Sequence, residues 1–495
     1  SSAFSICTYV QIEKADENTK ELLTGATMQI VDNSGNIAAQ WVSEKAPHYV
    51  KGLNIGETYT LKEAAPASGY TTAKPIQFTV QDTDANGKTV ELQKIQTMYD
   101  IPTTVVVHKT DMTNSKEIAG AHLEVLDGSN NAIEKWISAK TPHTITKLPI
   151  GTYTLSETIA PNGYARTTDV KFAVTDTVKP QNVKIQNDCT KVDFSKTDIT
   201  TGKDLIGAKL QVKDTTGKVL YSWTSDGSTH RIEGISPGNY TLTESAAPAG
   251  YVISNSAAFT VNETMDIQSV SMKDDYTKVD INKIDATTGK GLANAHLQII
   301  NVNTNHIYTE FDTDGTAHRI ERIPAGNYIL RETEAPDGYL LSKDVPFAVK
   351  AISKVQKITM SDDYSKLDIY KLASDDKTPV SNAKLQLFDK NNKMLNEWTT
   401  NSKPYRINRL PLGNYRLHED TVPNGFAKAR DIRFTIGNTG KVQKVTMYDA
   451  RIHGPVTGIL AITKNYPFIP LVTCAIGIVV VLTALGVIKK KKKRK

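Results

Sequence analysis

The stretch GTYTLSETIAPNGY, residues 151–164, decides how this chain folds. Its first half alternates apolar and polar side chains, the period-2 pattern of a strand with one buried face. Tyr153, Leu155 and Glu157 fall on that face together, so a glutamate follows two core residues inward. The second half, APNGY, is a cluster of turn formers that ends the strand. Near-copies recur as ETYTLKEAAPASGY, GNYTLTESAAPAGY, GNYILRETEAPDGY and GNYRLHEDTVPNGF.

Working outward from each copy yields repeats of roughly 85 to 90 residues. Every repeat opens on an alternating strand that ends in lysine: YVQIEKAD (Lys14), TVVVHKTD (Lys109), KVDFSKTD (Lys196), KVDINKID (Lys283) and KLDIYKLA (Lys371). A small-residue step follows, as in AGAHLEV and IGAKLQV, then hairpin formers such as DNSGN at 32–36 and DTTGK at 214–218. Each repeat closes on a short strand: QTMYD, VKIQND, VSMKDD, ITMSDD and VTMYDA. Short β-branched and aromatic runs punctuated by Gly, Pro, Asn and Asp predict an all-β sandwich per repeat. The expected domains are 8–101, 102–189, 190–276, 277–364 and 365–450, then a linker over 451–467. Opening and closing strands in every repeat favour autonomous domains over a solenoid with one shared core.

The 495 residues are 39% hydrophobic and 23% charged, which is ordinary globular material and not a disordered chain. The formal net charge is +6, but Lys489 to Lys495 are all Lys or Arg, carrying +7 and leaving the remainder at −1. A nucleic-acid partner is therefore not expected, since a phosphate-binding patch would have to lie in the folded part. Cys7, Cys189 and Cys474 stand far apart, so neither a disulfide framework nor a CxxC metal spacing is present. The start at Ser1, without Met or a signal peptide, suggests a processed chain or a fragment.

Strand phase places three polar groups inward in each repeat. Val279, Ile281 and Lys283 share a face, as do Val192, Phe194 and Lys196. On the last strands Val270, Met272 and Asp274 align, as do Ile358, Met360 and Asp362, while Asn187 follows Val183 and Ile185. A buried unpaired charge costs several kcal/mol, and even a buried ion pair is weak evidence for stability. Chemistry offers a reason for the trio. Desolvation lowers the pKa of a lysine and raises that of a carboxyl, so a neutral amine can attack a side-chain carbonyl while the glutamate shuttles protons. Held proximity replaces an activating cofactor. The competing reading is that each lysine snorkels to water at a strand end, with the acids making ordinary salt bridges.

The combination of the lysine-ending strand, the small-residue step, G-x-Y-x-L-x-E-x-x-A-P-x-G-Y and a last strand ending in Asn or Asp resembles the Cna-B and SpaA-type domains of Gram-positive surface proteins. The resemblance covers about residues 8 to 450. It implies five tandem prealbumin-like, inverse immunoglobulin sandwiches, each carrying a spontaneous intramolecular isopeptide bond. The implied pairs are Lys14 with Asp100, Lys109 with Asn187, Lys196 with Asp274, Lys283 with Asp362, and Lys371 with Asp449. The implied assisting acids are Glu63, Glu157, Glu244, Glu332 and Glu419. The first repeat departs from the pattern, because ELQKIQTMYD falls out of alternation before Met98, so a bulge is expected there. A one-residue register change would substitute Asp188, Asp275 or Asp363 for the chosen residue. Such bonds would close loops of roughly 80 residues and constrain the unfolded chain by about 4 to 5 kcal/mol, by the chain-entropy reasoning used for disulfides.

Residues 468–488 carry no charge and are long enough for one transmembrane helix, and the basic tail 489–495 marks its cytoplasmic side. Ahead of it, Gly454, Pro455, Val456, Thr457 and Gly458 resemble a sortase sorting motif, with Gly454 where Leu usually stands. The order of motif, apolar span and basic tail implies sortase and peptidoglycan as partners and an extracellular, wall-anchored chain. A single-pass membrane protein is the competing reading. The expected function is a surface stalk or adhesin, and the alternative is a pilus subunit or a direct host-matrix binder. No YPK-like pilin motif for sortase polymerisation is present.

Other motifs carry little. DTDANG at 82–87 imitates a calcium loop, but its twelfth position would be Gln93 and no helices flank it, so a β-turn is expected. The ten histidines form no HExxH or Cys/His cluster, so no metal, no cofactor and no catalytic triad is expected. Cys7 near Gln11 could suggest a thioester, but two neighbours on one strand are the simpler reading. Self-crosslinking would turn over once per domain, which is not enzymatic activity.

Overall fold

A computed structural model describes residues 8–454. Every repeat is a β-sandwich of the kind its alternation predicts. In the second, the first strand, Thr104–Asp111, lies between His143–Thr146 and the last strand, Gln181–Asn187. The facing sheet has the order Ala132–Ile137, His122–Leu126, Gly151–Ile159, Val170–Val174. Val105, Val107, Leu123, Val125, Leu155 and Ile185 meet between the two sheets and are fully buried. The third and fourth repeats use the same orders, and the fifth adds the short strand Phe426–Ala427 beside its last strand, Val442–Arg451.

First and last strands run parallel, with Val107 opposite Val183, Lys109 opposite Ile185 and Asp111 opposite Asn187. Parallel neighbours require a long crossover, which the rest of the repeat supplies. In the first repeat both strands break, into Tyr9–Ile12 with Lys14–Asp16 and Leu92–Lys94 with Met98–Asp100. Gln11 pairs with Lys94 but Lys14 pairs with Met98, so one extra residue is taken up on the last strand. This is the irregularity expected before Met98.

The opening tyrosine of the recurrent motif has a second task besides burial. The Tyr153 hydroxyl donates to the Pro149 carbonyl at 2.8 Å, and Tyr240, Tyr328 and Tyr415 make the equivalent bond four residues upstream. It ties the incoming turn to the strand, as a tyrosine corner does in other sandwiches. Trp136 stacks on His143 with ring centroids 4.3 Å apart, joining the edge strands of the two sheets.

The chain divides into two compact units, one holding Ser1–Ala246 and Ser254–Lys273, the other Ala247–Ile253 and Asp274–Lys495. The division passes through the third repeat, although each repeat keeps its own sheets. No helix among the described residues is long and apolar enough to cross a membrane. The expected span at 468–488 lies outside the described residues, as do Pro455, Val456, Thr457 and Gly458, whereas Gly454 is the last residue described. Cys7 and Cys474 lie outside them too. Around DTDANG, Asp84 accepts backbone N–H bonds from Asn86 and Lys88 at 2.9 Å, which is a turn.

The core makes one expectation concrete. Leu155→Ala removes a fully buried side chain and should cost the second repeat about 2 to 5 kcal/mol. Hydrogen exchange of that repeat's strand amides reads the loss, and unchanged protection would contradict this account of the core.

Candidate functional site

The inward lysines, glutamates and terminal Asp or Asn residues are all buried, and their burial follows from strand phase. In Gly151–Ile159 the buried positions are Tyr153, Leu155 and Glu157, and in Thr104–Asp111 they include Val105, Val107 and Lys109. The five lysine side chains are at most 3% exposed and their glutamate partners 0%. Snorkelling is thereby excluded, because no lysine head reaches water.

Within the second repeat, Lys109 Nζ lies 2.8 Å from Glu157 Oε1 and donates to Asn187 Oδ1. Asn187 Nδ2 donates to Glu157 Oε2 at 2.8 Å and to the Ala165 carbonyl at 2.8 Å. Amine, amide and carboxyl are thus in mutual contact. Three other repeats bring the expected residues together in the same way. Lys14 contacts Glu63 at 3.0 Å and donates to Asp100. Lys283 contacts Glu332 at 2.8 Å and donates to Asp362, and Lys371 contacts Glu419 at 2.9 Å and donates to Asp449. In the third repeat Lys196 lies 3.2 Å from Glu244, and Asp274 closes the last strand fully buried.

The neighbouring carboxylates have other partners. Asp188 pairs with Lys191, Asp275 with Lys278 and Asp363 with Lys366, all three residues apart and partly exposed. The register that points Asn187, Asp274 and Asp362 inward therefore holds.

Two features of the site gave no periodic signal. The first is a register shift opposite each glutamate, seen where Leu123 pairs with Glu157 but His122 with Ile159, and again at Lys209/Leu210, His296/Leu297 and Lys384/Leu385. Bulges of this kind re-aim a side chain and end pairing. The second is a backbone anchor. The second carboxylate oxygen accepts the N–H of the residue ten positions on: Ala73 for Glu63, Thr167 for Glu157, Ser254 for Glu244, Ser342 for Glu332 and Ala429 for Glu419. The A-P-x-G-Y turn folds the chain back to deliver that amide, a link visible in the recurrence of the motif only once the return path is known.

Burial shapes the proton affinities. Burial pushes Asp100 up to about 7 and Asp449 up to about 6, against the pull of Lys14 and Lys371. Burial also raises Glu332 and lowers Lys109, the latter against Glu157. Asp100 and Asp449 therefore keep a proton more readily than a free carboxyl would. Asp100, Asp362 and Asp449 each keep one buried oxygen without a hydrogen-bond partner among the described residues. In the second repeat the corresponding atom is the Asn187 amide nitrogen, which is fully engaged. No group of residues suited to hold a metal occurs among the described residues.

A stability test follows from the raised Asp449. A carboxyl whose folded pKa exceeds its unfolded value contributes stability at low pH, and that contribution is lost as pH rises through the folded value. With Lys371 and Asp449 still unlinked, Lys371→Met strips the pair of its cation and should cost the fifth repeat about 3 to 5 kcal/mol at pH 8. The cost should shrink at pH 5, below the value of about 6 for Asp449. Denaturant unfolding at both pH values checks it, and an equal cost at both would refute a raised Asp449.

Comparison with known proteins now bears on this fold. Residues 8–95, 103–189, 190–276, 277–364 and 365–451 match the family described as SpaA, prealbumin-like fold domain. The first match stops at residue 95, inside the interruption of that repeat's last strand. No curated protein matches the chain. Among solved structures it is similar to the Bacillus anthracis TIE protein, at 20% identity over 73% of this chain and 76% of that one, with a TM-score of 0.35. It is also similar to a Streptococcal ancillary pilin, at 18% identity over 55% of this chain and 99% of that one, with a TM-score of 0.24. BcpA, the major pilin subunit of Bacillus cereus, gives 16% identity, 53% and 99% coverage and a TM-score of 0.25. Matched by one family along most of its length, the chain belongs to the SpaA family of prealbumin-like fold domains, carried here as five tandem repeats.

Proposed function

We propose that each repeat closes a Lys–Asp or Lys–Asn isopeptide bond and that the repeats together form a covalently braced, cell-wall-anchored surface stalk. The observation that carries this reading is the sealed contact of a lysine amine with a glutamate and a terminal Asp or Asn. Transfer of one proton from Lys109 to Glu157, across 2.8 Å, gives a neutral amine and an acid. The amine attacks Asn187 Cγ, forming a C–N bond. Glu157 gives its proton to the departing Nδ2, which leaves as ammonia, and takes up the second proton of the attacking amine, so the product is a secondary amide beside a protonated Glu157. In the Asp repeats the C–O bond to a protonated carboxyl breaks and water leaves. Proton transfer by a positioned acid and held proximity supply the rate.

The mechanical consequence follows from the parallel strands. Tension entering at Thr104 reaches Lys109 near the end of the first strand and would cross the new bond to Asn187, the end of the last. The sheet between them carries no load. Anchoring rests on the order of Gly454, Pro455, Val456, Thr457 and Gly458, the apolar span and the basic tail, which suits sortase transfer to peptidoglycan.

Intact mass of the soluble repeats tests the bonds. Full crosslinking removes four waters and one ammonia, in keeping with four Asp acceptors and one Asn acceptor. An unmodified mass would sink the proposal. Glu157→Ala should leave the second repeat unlinked and sensitive to protease, and normal crosslinking there would remove the glutamate from the mechanism.

The acceptors also predict different pH profiles for chains folding for the first time, before any bond has formed. Above the value of about 7 for Asp100 the acceptor becomes a carboxylate, a poor electrophile. First-repeat crosslinking should therefore slow by about tenfold per pH unit beyond it, the slope of a single titrating group. Asn187 has no such proton to lose, so the second repeat should not slow there. Mass analysis of peptides at timed intervals reads both, and parallel profiles would argue against an acid acceptor.

A further inference from the structure

Each repeat meets its successor with no spacer. Thr103 follows Asp100 by three residues, and its N–H donates to the Gly69 carbonyl at 3.0 Å while its hydroxyl bonds Leu148 of the next repeat at 2.6 Å. Thr190, Thr277 and Ser365 repeat this, donating through N–H to Gly163, Gly250 and Gly338 and through hydroxyl to Ile235, Ile323 and Leu410. Gly163, Gly250 and Gly338 are the G of the A-P-x-G-Y turn and Gly69 that of its longer counterpart A-P-A-S-G-Y, and all hold φ between +81° and +87°. A Cβ on any of them would come under 3.0 Å from the carbonyl of Lys147, Gly234, Arg322 or Arg409 respectively.

Those four contact residues occupy one equivalent position, and three are cations. Around Asp16, the Tyr70 hydroxyl donates to Oδ2 at 2.7 Å and Lys147 Nζ pairs with the same oxygen at 3.0 Å. Around Asp285, the Tyr339 hydroxyl donates at 2.7 Å, Arg409 Nη2 pairs at 2.7 Å, and Arg409 Nε reaches the Tyr339 hydroxyl at 3.0 Å. Arg322 Nε reaches the Tyr251 hydroxyl at 3.2 Å and its guanidinium lies 3.8 Å over the Tyr276 ring. The Tyr70 and Asp16 contacts push Lys147 up to about 12. At the junction after the second repeat, Tyr164 still donates to Asp111 at 2.8 Å, but Gly234 stands in the cation's place. No ion pair reaches Asp111 among the described residues, and a Cβ at Gly234 would meet nothing within 4 Å.

The geometry points to a graded set of inter-repeat clasps, in which an aspartate and tyrosine of one repeat grip a cation of the next, and in which the junction at Gly234 is the built-in hinge. The occupant of each clasp is the following repeat of this chain. The fold supplies the same glycine contact everywhere; the first and fourth junctions add Thr72 bonded to Asp176 and Leu341 bonded to Asn438, and the cation is what the loose junction lacks against all three others.

Hydrogen exchange on the full chain tests this through the amides of Thr103, Thr190 and Ser365, each bonded across its own junction. The Thr190 amide should exchange about tenfold faster than the other two, equivalent to about 1.4 kcal/mol. Arg409→Gly should speed Ser365 by about tenfold and leave Thr190 unchanged. Gly234→Arg should slow Thr190 by a similar factor, since Arg322 and Arg409 already hold φ of 60° at this position. Equal exchange at the three junctions, or no response of Ser365 to Arg409→Gly, overturns the clasp. No slowing of Thr190 in Gly234→Arg overturns the hinge.

Discussion

A lysine amine sealed between two acids at the end of a parallel strand pair is the constraint on which each repeat depends. An ammonium and a carboxylate taken out of water lose several kcal/mol of hydration each, and their attraction recovers this only with good geometry and further hydrogen bonds. The fold provides both. The first strand carries Lys109 inward and the last carries Asn187 beside it, while the facing sheet brings Glu157 against both. The backbone N–H of Thr167 then fixes the carboxylate's remaining oxygen. Remove the parallel register and the lysine has no acceptor; remove the A-P-x-G-Y return and the glutamate has no anchor.

The same strand end ties this site to the junction. Lys14 and Asp16 are two residues apart, as are Lys109 and Asp111, and Lys283 and Asp285. The aspartate lies directly across from the last strand's terminal residue, Asp16 opposite Asp100, Asp111 opposite Asn187 and Asp285 opposite Asp362. Under the proposed crosslink, the covalent brace and the grip on the next repeat would be separated by a single pleat. Strain at a junction would then be delivered to the braced strands and not to the hydrogen-bonded hairpins of the facing sheet.

Strand phase made much of this legible. Tyr153, Leu155 and Glu157 had to share a face, and so had Val107 and Lys109, because a strand turns alternate side chains to one side. Phase alone left open whether the lysines reached water, since alternation says which face a residue takes and nothing of how deeply that face is covered. It also could not follow the first repeat, where the residue gained between Lys94 and Met98 resets the alternation. The Thr167 amide and the paired bulges were invisible for a different reason. They depend on tertiary return of the chain, which leaves no period in the residues that make it. The clasps lay in plain view as letters, but Asp285 and Arg409 are 124 residues apart and only folding joins them.

The fifth repeat shows what the junction residues are for by lacking them. Ala373 takes the aspartate's place opposite Asp449, Phe426 takes the tyrosine's, and a Cβ on Gly425 would meet nothing within 4 Å. The core trio of Lys371, Glu419 and Asp449 is nevertheless intact. If the aspartate and tyrosine served the sandwich itself, their loss should have disturbed that trio, since Lys371 shares its strand with Ala373 and the strand of Asp449 pairs with that of Phe426. Instead the last strand runs on to Arg451, which lies 5.4 Å over the Phe426 ring and pairs with Asp376 at 2.8 Å. A cation from the repeat's own strand thus covers the aromatic ring that, in the fourth repeat, is covered by Arg409 of its neighbour. The cation over the ring thus comes from either source, and the aspartate and tyrosine persist even at the junction of Gly234, where no cation among the described residues answers them.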